Sequence, residues 1–239
     1  MPASTKRLYI WCGLVSMVLV FSGLLVARAL PLPRPDESAV QIAAFFAHQT
    51  TAIRLGVLIM MFGGALLGPW TAAIASELRK IEGPGSPAAY CQLALGSLLV
   101  LEIILPCMLL EVAAFRPNRP PDEILTLSDE SWILLVGLVF TFIVEAIALG
   151  LTILNDRREQ PVFPRWAGAV SVVAALGNVL GALVVLSKRG PLAWNGLLGF
   201  WLPAFLFVAW LIALTWLMLD ATDSDEPNLT SIVTSRGDG

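Results

Sequence analysis

The stretch Ala88 to Ala114, AAYCQLALGSLLVLEIILPCMLLEVAA, decides the fold class. A helix crosses the roughly 30 Å hydrocarbon core of a bilayer with about 20 mostly apolar residues. This run exceeds that length, and its only charged side chains are Glu102 and Glu111. Five further apolar runs flank it, Leu8 to Ala27, Ile53 to Ser76, Trp132 to Leu154, Trp166 to Leu186 and Trp194 to Leu219. The 239-residue chain is 57% hydrophobic and 14% charged, against roughly 25% charged in ordinary globular domains, so water is not its main solvent. The reading is an all-α, polytopic transmembrane helical bundle of about six spans, with the lipid bilayer as its first partner.

The connecting segments add detail. Lys6 and Arg7 precede the first run, and Pro31, Pro33 and Pro35 follow it. Ala27-Arg28-Ala29 resembles a signal-peptide cleavage site, but an apolar run of about 20 residues exceeds the roughly 7 to 15 of a signal peptide, so an uncleaved first helix is expected. Asp36-Glu37-Ser38 opens a segment in which Ser38 and Gln41 stand at capping-box spacing. Residues 36–51 are too short and interrupted to span, and are read as an amphipathic helix on the outer surface. In the second span Gly64 and Gly68 have the spacing that lets helices approach closely, and Pro69 should kink the helix. Arg116 to Glu130 reads as an outer loop rich in proline and acid. Trp132, Trp166 and Trp194 stand where spans meet water. Residues 220–239, polar and acidic, read as a disordered tail.

Placing the N-terminus inside assigns Lys6, Arg7, Arg79, Lys80, Arg157, Arg158 and Arg165 to the cytoplasm. The opposite side receives about as many, namely Arg28, Arg34, Arg54, Arg116, Arg119, Lys188 and Arg189. The Lys6-Arg7 pair breaks the tie, because the first helix usually dominates orientation. An even number of spans then puts both termini in the cytoplasm, with the protein multi-pass in the inner (plasma) membrane.

Composition excludes several classes. A net charge of −3 with no clustered basic surface argues against nucleic acid. Cys12, Cys91 and Cys107 lie inside apolar runs without a Cys-x-x-Cys pair, which argues against a disulfide framework or a zinc site. His48 is the only histidine, whereas haem, di-iron and zinc-hydrolase centres need several, so no cofactor and no metal are expected. The chain has no nucleophile elbow, Walker loop, Gly-x-Gly-x-x-Gly turn or Ser-His pairing, and no catalytic residue is assigned.

The outer segment Asp36 to Thr51 before the second span, and Pro164-Arg165-Trp166-Ala167-Gly168 opening the fifth, resemble an uncharacterised family of six-span bacterial membrane proteins. The resemblance runs over about residues 8 to 219 and implies the fold. It brings no activity and no catalytic residue.

Chemistry is left to polar groups at mid-membrane depth. Glu102 in the third span and Glu145 in the fourth lie near the centres of their helices, where an ionisable side chain costs at least about 2.5 to 3.5 kcal/mol and normally finds a partner inside the bundle. Asn178 sits at similar depth in the fifth span, and Thr141 shares the helix face of Glu145. Pro106, four residues after Glu102, leaves the Glu102 carbonyl without its helical donor. These four side chains are expected to converge and to bind a proton or a small hydrophobic or cationic ligand. The plainer reading is two neutral acids hydrogen-bonded to Asn178, Thr141 or backbone. Glu111, on the opposite face from Glu102, is read as an interfacial acid paired with Arg54 or Arg116. The functional readings are a small transporter or membrane-embedded binding protein, or a non-catalytic subunit or assembly factor docking through its small-residue faces. A lipid-modifying enzyme is the least supported.

Overall fold

The computed structural model describes residues 3–224, all of them in helices and the turns between, without a strand among them. The elements are α1 (Ala3–Val26), α2 (Ala39–Ala65), α3 (Leu67–Glu82), α4 (Pro87–Phe115), α5 (Pro121–Gly137), α6 (Phe140–Leu154), α7 (Arg165–Ala182) and α8 (Leu202–Ser224). Counted across their breaks, they form six helical rods long and apolar enough to cross a membrane. The chain is an all-α helical bundle of the multi-pass membrane class.

Consecutive rods run antiparallel, and close backbone approach through glycine fixes two of their crossings. A β-carbon at Gly23 of α1 would lie 2.5 Å from the Gly56 carbonyl oxygen of α2, and one at Gly56 would lie 2.4 Å from that of Gly23. Gly150 of α6 and Gly168 of α7 repeat the arrangement at 2.8 Å in each direction. In lipid, close backbone approach replaces the hydrophobic drive that holds helices together in water. Two buried tryptophans join the layers. Trp70 Nε1 donates to Thr215 Oγ1 at 2.9 Å, tying α3 to α8, and Trp210 Nε1 donates to Ser171 Oγ at 2.9 Å, tying α8 to α7.

The ends are closed by charge. Glu77, fully buried, pairs with Lys6 Nζ at 2.7 Å and with Lys80 Nζ at 3.1 Å. Arg158 donates to the Lys80 carbonyl at 2.6 Å and to both Asp156 oxygens at 2.9 and 2.7 Å. The Arg158 guanidinium and the backbone N–H groups of Arg158 and Val162 hold the Asp156 carboxyl down at about 2. At the opposite end Asp36 is lowered by Arg34 first and then by Arg189, and Trp194 Nε1 donates to the Pro33 carbonyl at 2.8 Å. Arg54 Nε meets Glu111 Oε1 at 3.2 Å, so Arg54 is the partner of that interfacial acid.

Several boundaries differ from the sequence reading. The segment read as a separate helix starts at Ala39 behind the Ser38 capping box and is set off from the rest of α2 by a kink at Gln49, whose backbone is non-helical (φ −113°, ψ 16°). A second interruption comes at Leu66, because Pro69 offers no N–H to the carbonyl four residues earlier, that of Ala65. Helix α3 does not stop where the apolar run ends at Ser76, but continues through Glu77-Leu78-Arg79-Lys80 to Glu82. Arg116 to Glu130 is not a loop throughout, as α5 starts at Pro121 with Asp122 and Glu123 in its first turn, proline and acids both being favoured there. The expected fourth span is two helices, α5 and α6, broken at Leu138 and Val139. The sixth opens with a π-turn, Leu197–Trp201. The expected tail starts later than Asp220, because α8 extends to Ser224, and its remainder lies outside the described residues. Of the glycine pairs, Gly64 packs on Ile103 while the nearest atom to a β-carbon at Gly68 is 4.0 Å away, on Val100. Gly177 meets Leu206, and Gly181 meets the Val136 carbonyl.

The antiparallel order puts the exposed residues Gly85 and Asn118, at the two ends of α4, on opposite faces of the bundle. In a cysteine-free background, single cysteines replacing Gly85 and Asn118 should react with an impermeant maleimide from opposite sides of a sealed vesicle. Labelling of both from one side would contradict the topology.

Candidate functional site

Inserted into the bundle, three irregular stretches of backbone face one another. Pro106 withdraws the donor from the Glu102 carbonyl of α4, and Pro203 does the same to the Gly199 carbonyl, within the π-turn before α8. The third stretch is the α5–α6 break, where Val139 N–H turns back to the Gly137 carbonyl at 3.0 Å. Between them lies a partly open cavity of about 150 Å³. Its walls are apolar, with Met17 and Phe21 of α1, Val139, Phe142 and Phe207 among them. Among the described residues, Glu102 and Asn178 are the only polar side chains that line it.

Glu102 is 8% exposed and accepts a hydrogen bond from the Thr141 hydroxyl. Thr141 stands in the first turn of α6, so the helix break delivers this hydroxyl to the carboxyl. No lysine or arginine pairs with Glu102 among the described residues. Asn178 Nδ2 donates to the Ala174 carbonyl at 2.8 Å and reaches the Pro203 carbonyl at 3.5 Å, the limit of a hydrogen bond. Asn178 therefore bridges α7 to the start of α8 on the cavity wall.

Glu145 stands apart. It is 1% exposed, does not line the cavity, and its Oε1 accepts a hydrogen bond from Gln92 Nε2 of α4. The structure thus brings Glu102 and Asn178 to one cavity, holds Glu102 there through Thr141, which does not itself line the space, and sets Glu145 one helical turn beyond Thr141 against a different partner. Gln92 is the residue that sequence reasoning missed. The signal was available, since an amide in the interior of an apolar run is costly in the same way as an acid, but Gln92 lies ten residues before Glu102, away from the level at which Glu102, Glu145 and Asn178 were sought. Trp70, Thr215, Ser171 and Trp210 were missed for a different reason. Their hydrogen bonds join residues 145 and 39 positions apart, and no local pattern announces them.

Compared with protein-family models, characterised proteins and solved structures, the chain matches none. The chemistry of the cavity alone carries the functional reading.

The arrangement suits a small apolar body with one hydrogen-bond donor at its end. An apolar cavity of roughly 150 Å³ is large enough to hold benzene. The carboxyl of Glu102 and the two carbonyls released by Pro106 and Pro203 are acceptors, the chemistry that an ammonium or hydroxyl group seeks.

Thr141→Val, which keeps the shape and removes the donor to Glu102, should destabilise the protein by roughly 1 to 3 kcal/mol. Thr141→Ser should recover most of the loss. Thermal unfolding in detergent measures both, and a valine variant as stable as wild type would remove Thr141 from the site.

Proposed function

We propose that this is a membrane-embedded binding protein or small transporter for a small hydrophobic compound carrying an amine or hydroxyl group, with Glu102 as the anchoring group. The observation that carries the reading is the cavity itself, apolar except for a carboxyl and an amide and bordered by three interruptions of helical backbone. Irregular backbone at membrane depth is tolerated where it is covered by protein or lines a cavity, and broken helices of this kind form the substrate sites of many transporters. Glu102 and Glu145 supply titratable groups for coupling to protons. The reading includes an inner-membrane location with both termini cytoplasmic, on the strength of Lys6 and Arg7 before α1.

The alternative, a non-catalytic subunit docking through its glycine faces, draws less support. Gly23, Gly56, Gly64, Gly150, Gly168 and Gly177 are all spent on contacts within this one chain. Gly68 is left with room around it, and one glycine is a small platform for a partner helix.

Purified full-length protein in lipid nanodiscs, melted with benzylamine, benzyl alcohol and toluene, tests the reading. A ligand at about 100 times its Kd stabilises by roughly 2.7 kcal/mol. Benzylamine should raise the midpoint of wild type most and toluene least, and Glu102→Gln should abolish the advantage of the amine. Equal responses to all three compounds, or an undiminished amine response in Glu102→Gln, would overturn it.

A further inference from the structure

Gln92 and Glu145 meet in the interior between α4 and α6, Gln92 fully buried and Glu145 1% exposed. They share one hydrogen bond, from Gln92 Nε2 to Glu145 Oε1. Each is left with one further polar atom, the amide oxygen Gln92 Oε1 and the second carboxyl oxygen Glu145 Oε2, and both are buried without a hydrogen-bond partner among the described residues. If the carboxyl is ionised, both leftover atoms are acceptors and neither can satisfy the other. Two orphaned buried acceptors beside a buried charge are costly. A single proton on Glu145 removes all three costs. It neutralises the acid, turns Oε2 into a donor, and gives Gln92 Oε1 the hydrogen bond it lacks.

We propose that Glu145 and Gln92 form a proton-binding clasp, a cyclic acid–amide pair that locks α4 to α6 only while Glu145 is protonated. Releasing the proton breaks the O–H bond and leaves the electron pair on the carboxylate. One of the two clasp hydrogen bonds is lost with it. The titratable groups near enough to feel this charge are Glu102 and Cys91, both on α4. Helix α7 contributes only Arg165, at its first residue, while the charges of α3 and α8 sit in their closing turns, with Glu77 of α3 already paired to Lys6 and Lys80. Among the described residues, no cation therefore stands ready to replace the proton.

The clasp bears on the cavity through α6. Thr141, the donor to Glu102, precedes Glu145 by four residues and shares its helix face. Seven residues further on, the same face carries Thr152, which lines a separate pocket with Glu82 and Asp156 at the end of the bundle where α3 and α6 finish. Glu145 thus lies between the cavity and that pocket, and loosening its bond to α4 frees the turn that holds Thr141. The clasp needs no ligand in the cavity, so it stands or falls independently of the binding reading.

Infrared spectroscopy of the full chain in lipid detects a protonated carboxyl by its carbonyl stretch, which shifts in D₂O. At pH 7 the band should persist in Glu102→Gln and be diminished in Glu145→Gln. On titration towards pH 10 it should disappear from Glu102→Gln, and the thermal midpoint should fall more in Glu102→Gln than in Glu102→Gln/Glu145→Gln. That is the sign required of a group stabilising the fold in its protonated form. Gln92→Leu, which strands the acid, should lower the midpoint at pH 7, whereas Glu145→Gln should not, because two amides can pair in the same cyclic way. A Glu102→Gln protein with no carboxylic acid band at pH 7 would overturn the proposal even if Glu145→Gln failed to fold. So would a band that Glu145→Gln leaves unchanged.

Discussion

Inside a bilayer the backbone has no water to bond, so each N–H and C=O must be satisfied by the protein or turned towards a protected cavity, at a cost of several kcal/mol for each failure. Six long apolar rods meet that demand along most of the chain. The structure is then organised by the places that do not meet it in the ordinary way. The release of the Glu102 carbonyl by Pro106, the α5–α6 break and the π-turn before Pro203 all border one cavity. Each would be expensive facing lipid. Gathered together inside the bundle, they join Glu102 and Asn178 in supplying the polar character of a space whose other side chains are apolar.

The same constraint explains how the rods are held. Hydrophobic burial does not draw one apolar helix to another in hydrocarbon, so contact depends on backbone proximity and on buried hydrogen bonds. Gly23 with Gly56 and Gly150 with Gly168 provide the first, at crossings where any side chain would collide with a carbonyl. Trp70 with Thr215, Trp210 with Ser171, and Gln92 with Glu145 provide the second. The two carboxyls at mid-depth differ in consequence. Glu102 borders open space and is met by the first turn of a broken helix, while Glu145 is enclosed and its geometry depends on a proton.

Helix number and class were legible in the sequence because hydropathy over about 20 residues is a local quantity, and the Ser38 capping box was legible because its two partners are three residues apart. The break at Leu138 and Val139 was not. It contains no proline, and Gly137 is the only small residue beside it, so nothing in the local pattern separates it from continuous helix. Pro121, Asp122 and Glu123 are a legible start for helix α5, but Pro117 and Pro120 just upstream give the same stretch the composition of a loop. For the site, depth along each helix was legible and azimuth was only partly so. Counting residues put Glu102, Glu145, Thr141 and Asn178 near one level, yet facing Glu145 towards Gln92 depends on how α4 and α6 are rotated against each other. That rotation is set by side-chain packing between elements far apart in sequence, which no helical-wheel argument contains.

The account depends on the cavity under the helix break being a binding site for a donor-bearing apolar ligand. A crystal structure of the lipid-embedded protein with 4-bromobenzylamine, read by the anomalous signal of bromine, addresses this directly. The account predicts bromine inside the cavity, against the wall that Phe142 and Phe207 form, with the amine nitrogen within hydrogen-bond reach of Glu102 and the peak absent from Glu102→Gln crystals. Bromine found only on lipid-facing surfaces, with the cavity filled by side chains, would contradict it.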